Sequence, residues 1–113
     1  MSVGLLAMVA LGAAVGAPLR YLAGRRWDGR LPVGTIAVNV GGSFLLGWSS
    51  ALSLGGSTTA LLGTGFCGGL TTYSAFAVQS HDRGLRLGSL TIALTVVPAL
   101  LACGLGFWLG LAI

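Results

Sequence analysis

Charged side chains are scarce in this sequence, which contains no lysine and no glutamate. Charged residues make up 7% of the 113 residues, whereas 55% are apolar. A soluble domain usually carries about a quarter charged residues, so this composition could not cover a folded surface in water. The 20 glycines lie inside apolar runs without a collagen period, as in helices that pack closely in lipid. Collagen, disordered chains and disulfide scaffolds are therefore excluded, and an integral membrane protein is predicted.

Uncharged stretches divide the chain into segments of membrane-spanning length. Residues 3–19 and 87–113 can each cross about 30 Å of hydrocarbon once, and residues 31–80 can cross it twice. A glycine- and threonine-rich interruption at 54–59 predicts the turn between those two crossings. We predict one all-α domain, 1–113, with four transmembrane helices at about 3–23, 33–53, 59–80 and 87–111.

The arginines fall in two of the predicted loops or, for Arg20, in the last turn of the helix before one of them, and they form no long basic run that would indicate nucleic-acid binding. By the positive-inside rule, this asymmetry predicts a multi-pass protein of the plasma membrane with both termini outside. No basic residue precedes the first apolar segment, so we expect a retained first helix and not a secretory signal. The predicted cytoplasmic arginines are Arg20, Arg25, Arg26, Arg30, Arg83 and Arg86.

No acidic or basic side chain lies well inside a predicted helix, and this excludes several functions. Asp28 and Asp82 belong to the arginine-bearing loops, and His81 is expected to be a solvated residue at a helix end. A proton-coupled exporter needs a titratable group at membrane depth, so a small multidrug exporter is disfavoured. Cys67 and Cys103 are expected to pack as small apolar residues. No base is available to activate a nucleophile, and no enzyme is predicted.

Neutral polar residues remain at membrane depth. Thr35, Asn39 and Ser43 follow one another at i, i+4 and i+8, which places them on one face of the second predicted helix. A buried amide in lipid is costly unless it is hydrogen-bonded. Asn39 therefore either joins two helices or lines a hydrated path, and the spacing alone favours neither.

The third predicted helix contains Gly68-Gly69 followed by Thr71-Thr72 near its middle. The backbone entropy of the two glycines and the β-branching of the two threonines weaken a helix here. The pattern therefore predicts either a closely packed glycine face or a break in the helix. Carbonyls freed by a break are hard ligands suited to a small cation. Tyr73 and Phe76 follow on one face, either as core or with ring edges that favour an anion.

Three motifs in this order make the chain resemble the CrcB/Fluc family of fluoride channels. They are GAPLRY at 16–21, GTIAVNVGGSFLLG at 34–47 and GFCGGLTTYSAF at 65–76. The resemblance covers nearly the whole chain. It implies a passive, fluoride-selective channel that lowers cytoplasmic fluoride and confers fluoride resistance, built as an antiparallel dimer of four-helix subunits with a broken third helix.

The resemblance also implies roles for individual residues. Gly68 and Thr71 would offer backbone carbonyls to a structural sodium ion at the centre of the dimer, and Arg20 would lie in the cytoplasmic vestibule. The fluoride path would be lined by Asn39, Thr72, Tyr73, Ser74 and Phe76.

The chain departs from the family pattern in two side chains and in its charge. Tyr73 stands where phenylalanine is usual, and Ala75 replaces a common hydroxyl-bearing residue. Antiparallel homodimers need dual topology and therefore little arginine bias, whereas the bias here is complete. The chain is thus either a homodimer or a heterodimer with a paralogue of opposite bias. A non-conducting partner subunit, with its pore blocked by Tyr73, is the alternative function.

Overall fold

The computed structural model describes residues 2–52, 55–71 and 73–112, with the side chains of all of these except residues 73–75. Within these ranges the secondary structure is helical and no strand is present, which confirms the all-α prediction. The helices are α1 (Val3–Trp27), α2 (Val33–Ala51), α3, α4 (Tyr73–Asp82) and α5 (Gly84–Ala112). Helix α3 joins an α-helical turn (Gly56–Thr59), a π-helix (Ala60–Cys67) and a last α-helical turn (Gly68–Leu70).

The helix limits follow local chemistry. The Ser2 hydroxyl accepts a hydrogen bond from the Leu5 N–H and caps the start of α1. Helix α1 continues four residues past its predicted end at residue 23, with Arg25 and Arg26 in its last turn, where cations are favourable. Between α4 and α5 the chain reverses at Gly84, whose φ of 78° suits glycine.

The third helical region departs most from a regular helix. Its π-helical stretch of eight residues was not anticipated from the sequence. The helical conformation ends at Leu70, Thr71 is extended with φ −85° and ψ 158°, and α4 begins at Tyr73. Thr72 lies outside the described residues. In the same region Gly69 packs against the backbone of α1. A closely packed glycine face and an interruption of the helix, which the sequence offered as alternatives, therefore do not exclude each other.

Many large apolar side chains lie on the outside of the molecule, as in a protein surrounded by lipid. Leu85 and Leu100 are 89% and 69% exposed, and α1 and α5 are long and apolar enough to cross a membrane. The described core is made of small and polar groups, because large apolar side chains need no burial in a hydrocarbon solvent. Its buried side chains include Ala23, Ala60, Cys67, Leu70, Thr35, Asn39, Thr91 and Thr95.

Glycine contacts hold the helices together in pairs. A Cβ at Gly12 or Gly16 of α1 would meet the backbone of α3, and one at Gly69 of α3 would meet α1. Gly47 of α2 and Gly106 of α5 lie equally close to each other's helices. The GxxxG patterns therefore pack backbone on backbone.

The two arginine-bearing loops meet at one end of the molecule. The Arg83 guanidinium donates to the carbonyls of Gly29 and Arg30, at 3.1 Å each. At the opposite end, Gly56 lies beside Leu5, and Gly110 lies beside Ala51. The structure measures 43 Å along its longest axis, comparable to a bilayer with its headgroups, about 40–45 Å.

Candidate functional site

A cavity of about 360 Å³, here called the central cavity, lies between α2, α3, α4 and α5 and opens to the surface beside Val96 and Leu100, which are 41% and 69% exposed. Its polar lining comes from four side chains: Asn39, Ser43, Thr71 and Thr95. None of the lining residues is acidic or basic. The lining residues are Asn39, Gly42, Ser43, Leu46, Cys67, Thr71, Phe76, Thr95, Val96, Ala99 and Leu100.

Asn39 reaches this cavity from the buried face of α2. Thr35 lies one turn before it and Ser43 one turn after it, as the i, i+4, i+8 pattern predicts. The Asn39 side chain is only 7% exposed, so its position at the cavity reflects the packing of the bundle. A Cβ at Gly42 would collide with the Thr71 methyl group, so glycine there allows the end of α3 to approach α2.

The cavity hydroxyls all donate to their own helix. Ser43 donates to the Asn39 carbonyl at 2.8 Å, Thr71 to the Cys67 carbonyl at 2.8 Å, and Thr95 to the Thr91 carbonyl at 2.7 Å. Rotation about the C–O bond can redirect such a proton to a guest in the cavity, because the carbonyl keeps its backbone role. The site therefore contains three hydroxyl donors that can turn towards an anion in the cavity, although none of its side chains is charged.

The end of α3 offers backbone oxygen. The Thr71 N–H and hydroxyl both donate to the Cys67 carbonyl, at 2.9 and 2.8 Å, so that oxygen is satisfied. The remaining carbonyls of a last helical turn have no partner within the helix. Gly68 leaves space around it, since nothing lies within 4 Å of where a Cβ would stand. In the described parts of the chain, no group of three or more His, Cys, Asp or Glu side chains could hold a metal.

The predicted path residues have different outcomes. Asn39 and Phe76 line the cavity. Thr72 lies outside the described residues, as do the side chains of Tyr73 and Ser74. Arg20 is half-buried in α1 and does not line this cavity.

Thr95 was missed by the sequence reasoning. It is 6% exposed, lines the cavity, and forms with Thr91 an i, i+4 threonine pair inside the apolar run of α5. That pair is the signal that could have identified it, by the same argument that singled out Asn39.

A second cavity, of about 520 Å³, adjoins the first through Phe76. Ser80, His81 and Ser89 give it a polar lining, and it lies towards the end where α4 meets α5. Phe76 thus lines both the neutral central cavity and a larger cavity towards the arginine-bearing end. His81 is exposed, as its predicted interfacial position requires.

A hydrogen-bonded group, here termed the end cluster, joins Asp28, Thr35 and Gln79. The Asp28 carboxylate accepts from the Thr35 N–H at 3.0 Å and from the Thr35 hydroxyl at 2.9 Å. The Gln79 amide nitrogen donates to the same carboxylate at 3.0 Å and to the Thr35 hydroxyl oxygen at 3.2 Å. No sequence pattern predicts this cluster, because Asp28 and Gln79 are 51 residues apart.

Comparison with known proteins places these features in context. Residues 7–111 match the family described as "CrcB-like protein, Camphor Resistance (CrcB)". The chain is 52% identical over 106 residues to a Rhodococcus jostii (strain RHA1) protein named "Fluoride-specific ion channel FluC 2", covering 91% of this chain and 92% of that one. A Listeria monocytogenes serotype 4b (strain F2365) protein named "Fluoride-specific ion channel FluC 1" is 40% identical over 111 residues, covering 91% and 94%.

The same Rhodococcus jostii strain has a second relative, named "Fluoride-specific ion channel FluC 1". It is 39% identical to this chain over 105 residues, covering 92% of this chain and 83% of the relative. One organism therefore holds two paralogues of this kind. The relatives are named as channels, in agreement with the prediction that the chain is not an enzyme.

Proposed function

Since the chain belongs to the CrcB family of membrane proteins, we propose that it is a subunit of a fluoride-specific ion channel through which fluoride leaves the cytoplasm passively. The observation that carries this function is the central cavity, whose polar groups are neutral and include the buried amide of Asn39. A proton-coupled carrier would need a titratable group there. A passive path needs only hydrogen-bond donors and an entrance at each end.

Fluoride is small and strongly hydrated, so it enters only where donors replace its water. The Asn39 side chain brings an amide donor to the cavity, and the hydroxyls of Ser43 and Thr95 each supply one donor after turning away from their own helix. A fixed lysine or arginine would hold the anion too tightly for rapid release. Chloride is larger and a weaker hydrogen-bond acceptor, so the same donors compensate a smaller part of the free energy that is needed to remove its water.

The remainder of the path is assigned to the segment after α3 and to the start of α4. In this proposal Thr72 and Ser74 would add hydroxyls to the path, and Tyr73 and Phe76 would add aromatic rings, whose edges are positive. Phe76 supports this assignment because it lines both cavities. Arg20 attracts fluoride at the cytoplasmic vestibule without entering the central cavity.

The chain crosses the plasma membrane four times in this proposal, with α3 and α4 forming one interrupted crossing. The support is the meeting of both arginine-bearing loops at one end and the length of the long axis, 43 Å. The positive-inside rule assigns that end to the cytoplasm.

A structural sodium ion is proposed at the carbonyls of Gly68 and Thr71. The extended backbone at Thr71 and the open space at Gly68 fit such a site, because carbonyl oxygens are hard ligands and a small cation needs close approach. When bound, the ion would supply positive charge near the anion path without a basic side chain.

The conducting assembly is proposed to be an antiparallel dimer with a paralogous subunit of opposite arginine bias. The complete arginine asymmetry of this chain favours a heterodimer over a homodimer, since a homodimer would need both insertions. Two paralogous relatives in one Rhodococcus jostii strain are compatible with such a pair. Glycines at Gly41 and Gly104, unlike those between the paired helices, have nothing within 4 Å of a Cβ position and leave room for another helix.

Fluoride efflux from liposomes tests this function. Vesicles loaded with fluoride or chloride are prepared with this chain alone and with this chain co-expressed with a paralogue, and efflux is read with ion-selective electrodes. We expect fast, fluoride-selective efflux from the co-expressed pair. Fast efflux from the chain alone would contradict the heterodimer, and absence of efflux from both preparations would contradict the channel.

A further inference from the structure

The end cluster lies one helical turn from the central cavity on two different helices. On α2, Thr35 precedes Asn39 by four residues, about 6 Å along the axis. On α4, Gln79 follows Phe76 by three residues, about 4.5 Å along the axis. Asn39 and Phe76 line the same cavity, so the cluster connects the two helices just outside the path.

Helix α4 is ten residues long and follows Thr71, whose backbone is extended. It packs against α5, where a Cβ at Gly88 would meet the Ser80 backbone, and side-chain contacts join it to α2. The Gln79 amide provides one directly, because it donates to both Asp28 and Thr35.

The cluster is built to hold its shape and not to bind the ion. The Asp28 carboxylate would repel an anion, and its charge is directed to three donors and to the amino end of α2, where a negative charge is favourable. Asp28 also lies in the short loop between α1 and α2, which Arg83 holds through the carbonyls of Gly29 and Arg30. The loop, α2 and α4 thus form one hydrogen-bonded unit.

We propose that the end cluster sets the separation of Asn39 and Phe76 and thereby determines how well the path discriminates fluoride from chloride. Asp28, Thr35 and Gln79 are positioning residues in this inference, which rests on the proposed channel function. Selectivity between ions of one charge depends on the size of the site and the number of ligands that reach the ion. A path widened at this point would still pass fluoride and would admit chloride as well.

A charge-exchange cycle tests the inference. Gln79→Glu places a second carboxylate against that of Asp28, so the two helices separate. Adding Asp28→Asn restores a hydrogen bond between one amide and one carboxylate. In the double variant the amide at position 28 donates to the carboxylate at position 79, which reverses the direction of the original bond. We expect the fluoride-to-chloride efflux ratio to fall about tenfold in Gln79→Glu and to return to within about threefold of the original in the double variant. Asp82→Asn, an exposed charge change on the same helix, should leave the ratio unaltered.

The measurement uses the assembly that conducts, and thermal unfolding of each variant in detergent is recorded beside it. An unaltered ratio in a folded Gln79→Glu variant would overturn the inference. So would a double variant that regains stability but not selectivity, since the cluster would then be structural only. Absence of fluoride efflux from the unmodified assembly would instead overturn the proposed function, and the selectivity role with it.

Discussion

The molecule has two polar regions on α2, one turn apart, that differ in charge. The end cluster contains a carboxylate with three donors, and Arg83 binds the adjacent loop. The central cavity contains only neutral side chains whose hydroxyls donate to their own helix. Every charge that the chain possesses lies outside the cavity, and the groups inside it keep protons that can be redirected.

The difference follows from what each region must do. A charge at the end of a bundle is solvated or paired, and it can fix the position of helices at little cost. A charge at membrane depth is expensive and would either trap or repel the ion. Fixed geometry at the end and exchangeable donors at the centre are therefore complementary. Moving a charge from one region to the other should abolish this division.

The largest effect is expected from Asn39→Asp, which brings a carboxylate into the central cavity. Two like charges about 4 Å apart repel by about 4 kcal/mol at an effective dielectric constant of about 20, which corresponds to roughly a thousandfold slower passage. Fluoride efflux from liposomes at neutral pH measures the loss. Ser50→Asp is the matched control, because Ser50 is an exposed residue of the same helix with its hydroxyl on the Leu46 carbonyl. Efflux of Asn39→Asp close to that of the control would contradict the role of the neutral cavity.

A smaller effect is expected from Thr95→Val, which removes one exchangeable donor at constant volume. Loss of a hydrogen bond to a charged group costs about 1.5 kcal/mol or more, so efflux should fall about tenfold. Thr91→Val is the control: Thr91 lies one turn earlier on α5, donates to the Leu87 carbonyl in the same way, and does not line the cavity. Equal efflux from the two variants would show that Thr95 acts only within its helix.

The sequence predicted the neutral region better than the charged one. Asn39 could be identified because a buried amide in an apolar run is costly unless it is hydrogen-bonded. Its neighbours Thr35 and Ser43 also lie on the same helical face. The family motifs also indicated Phe76, which the structure places in the cavity.

Contacts between distant segments could not be predicted in this way. Asp28 was read as a loop residue among arginines, although it binds Gln79, 51 residues away. The π-helical part of α3 has no composition that distinguishes it from an α-helix, and in this part α3 packs against α1 at Gly12 and Gly65. Periodicity reports which face of a helix is polar, whereas tertiary packing decides what that face meets.

The smallest effect on conduction is expected from Arg83→Gln, which weakens the charged end and leaves the cavity intact. Arg83 donates to the carbonyls of Gly29, Arg30 and Gln79 at 3.1–3.3 Å. Because it is only partly buried, its loss should lower the free energy of unfolding by about 1 kcal/mol. Denaturant unfolding in detergent measures this.

Arg86→Gln removes the same charge from the same end and serves as the control, because Arg86 is exposed and makes no hydrogen bond to the described residues. Fluoride efflux should stay within about twofold of the original in both variants, since neither side chain lines the cavity. If Arg83→Gln slowed efflux as strongly as Thr95→Val, the end of the bundle would itself be part of the conduction path. The separation of fixed charge from exchangeable donors would then be wrong.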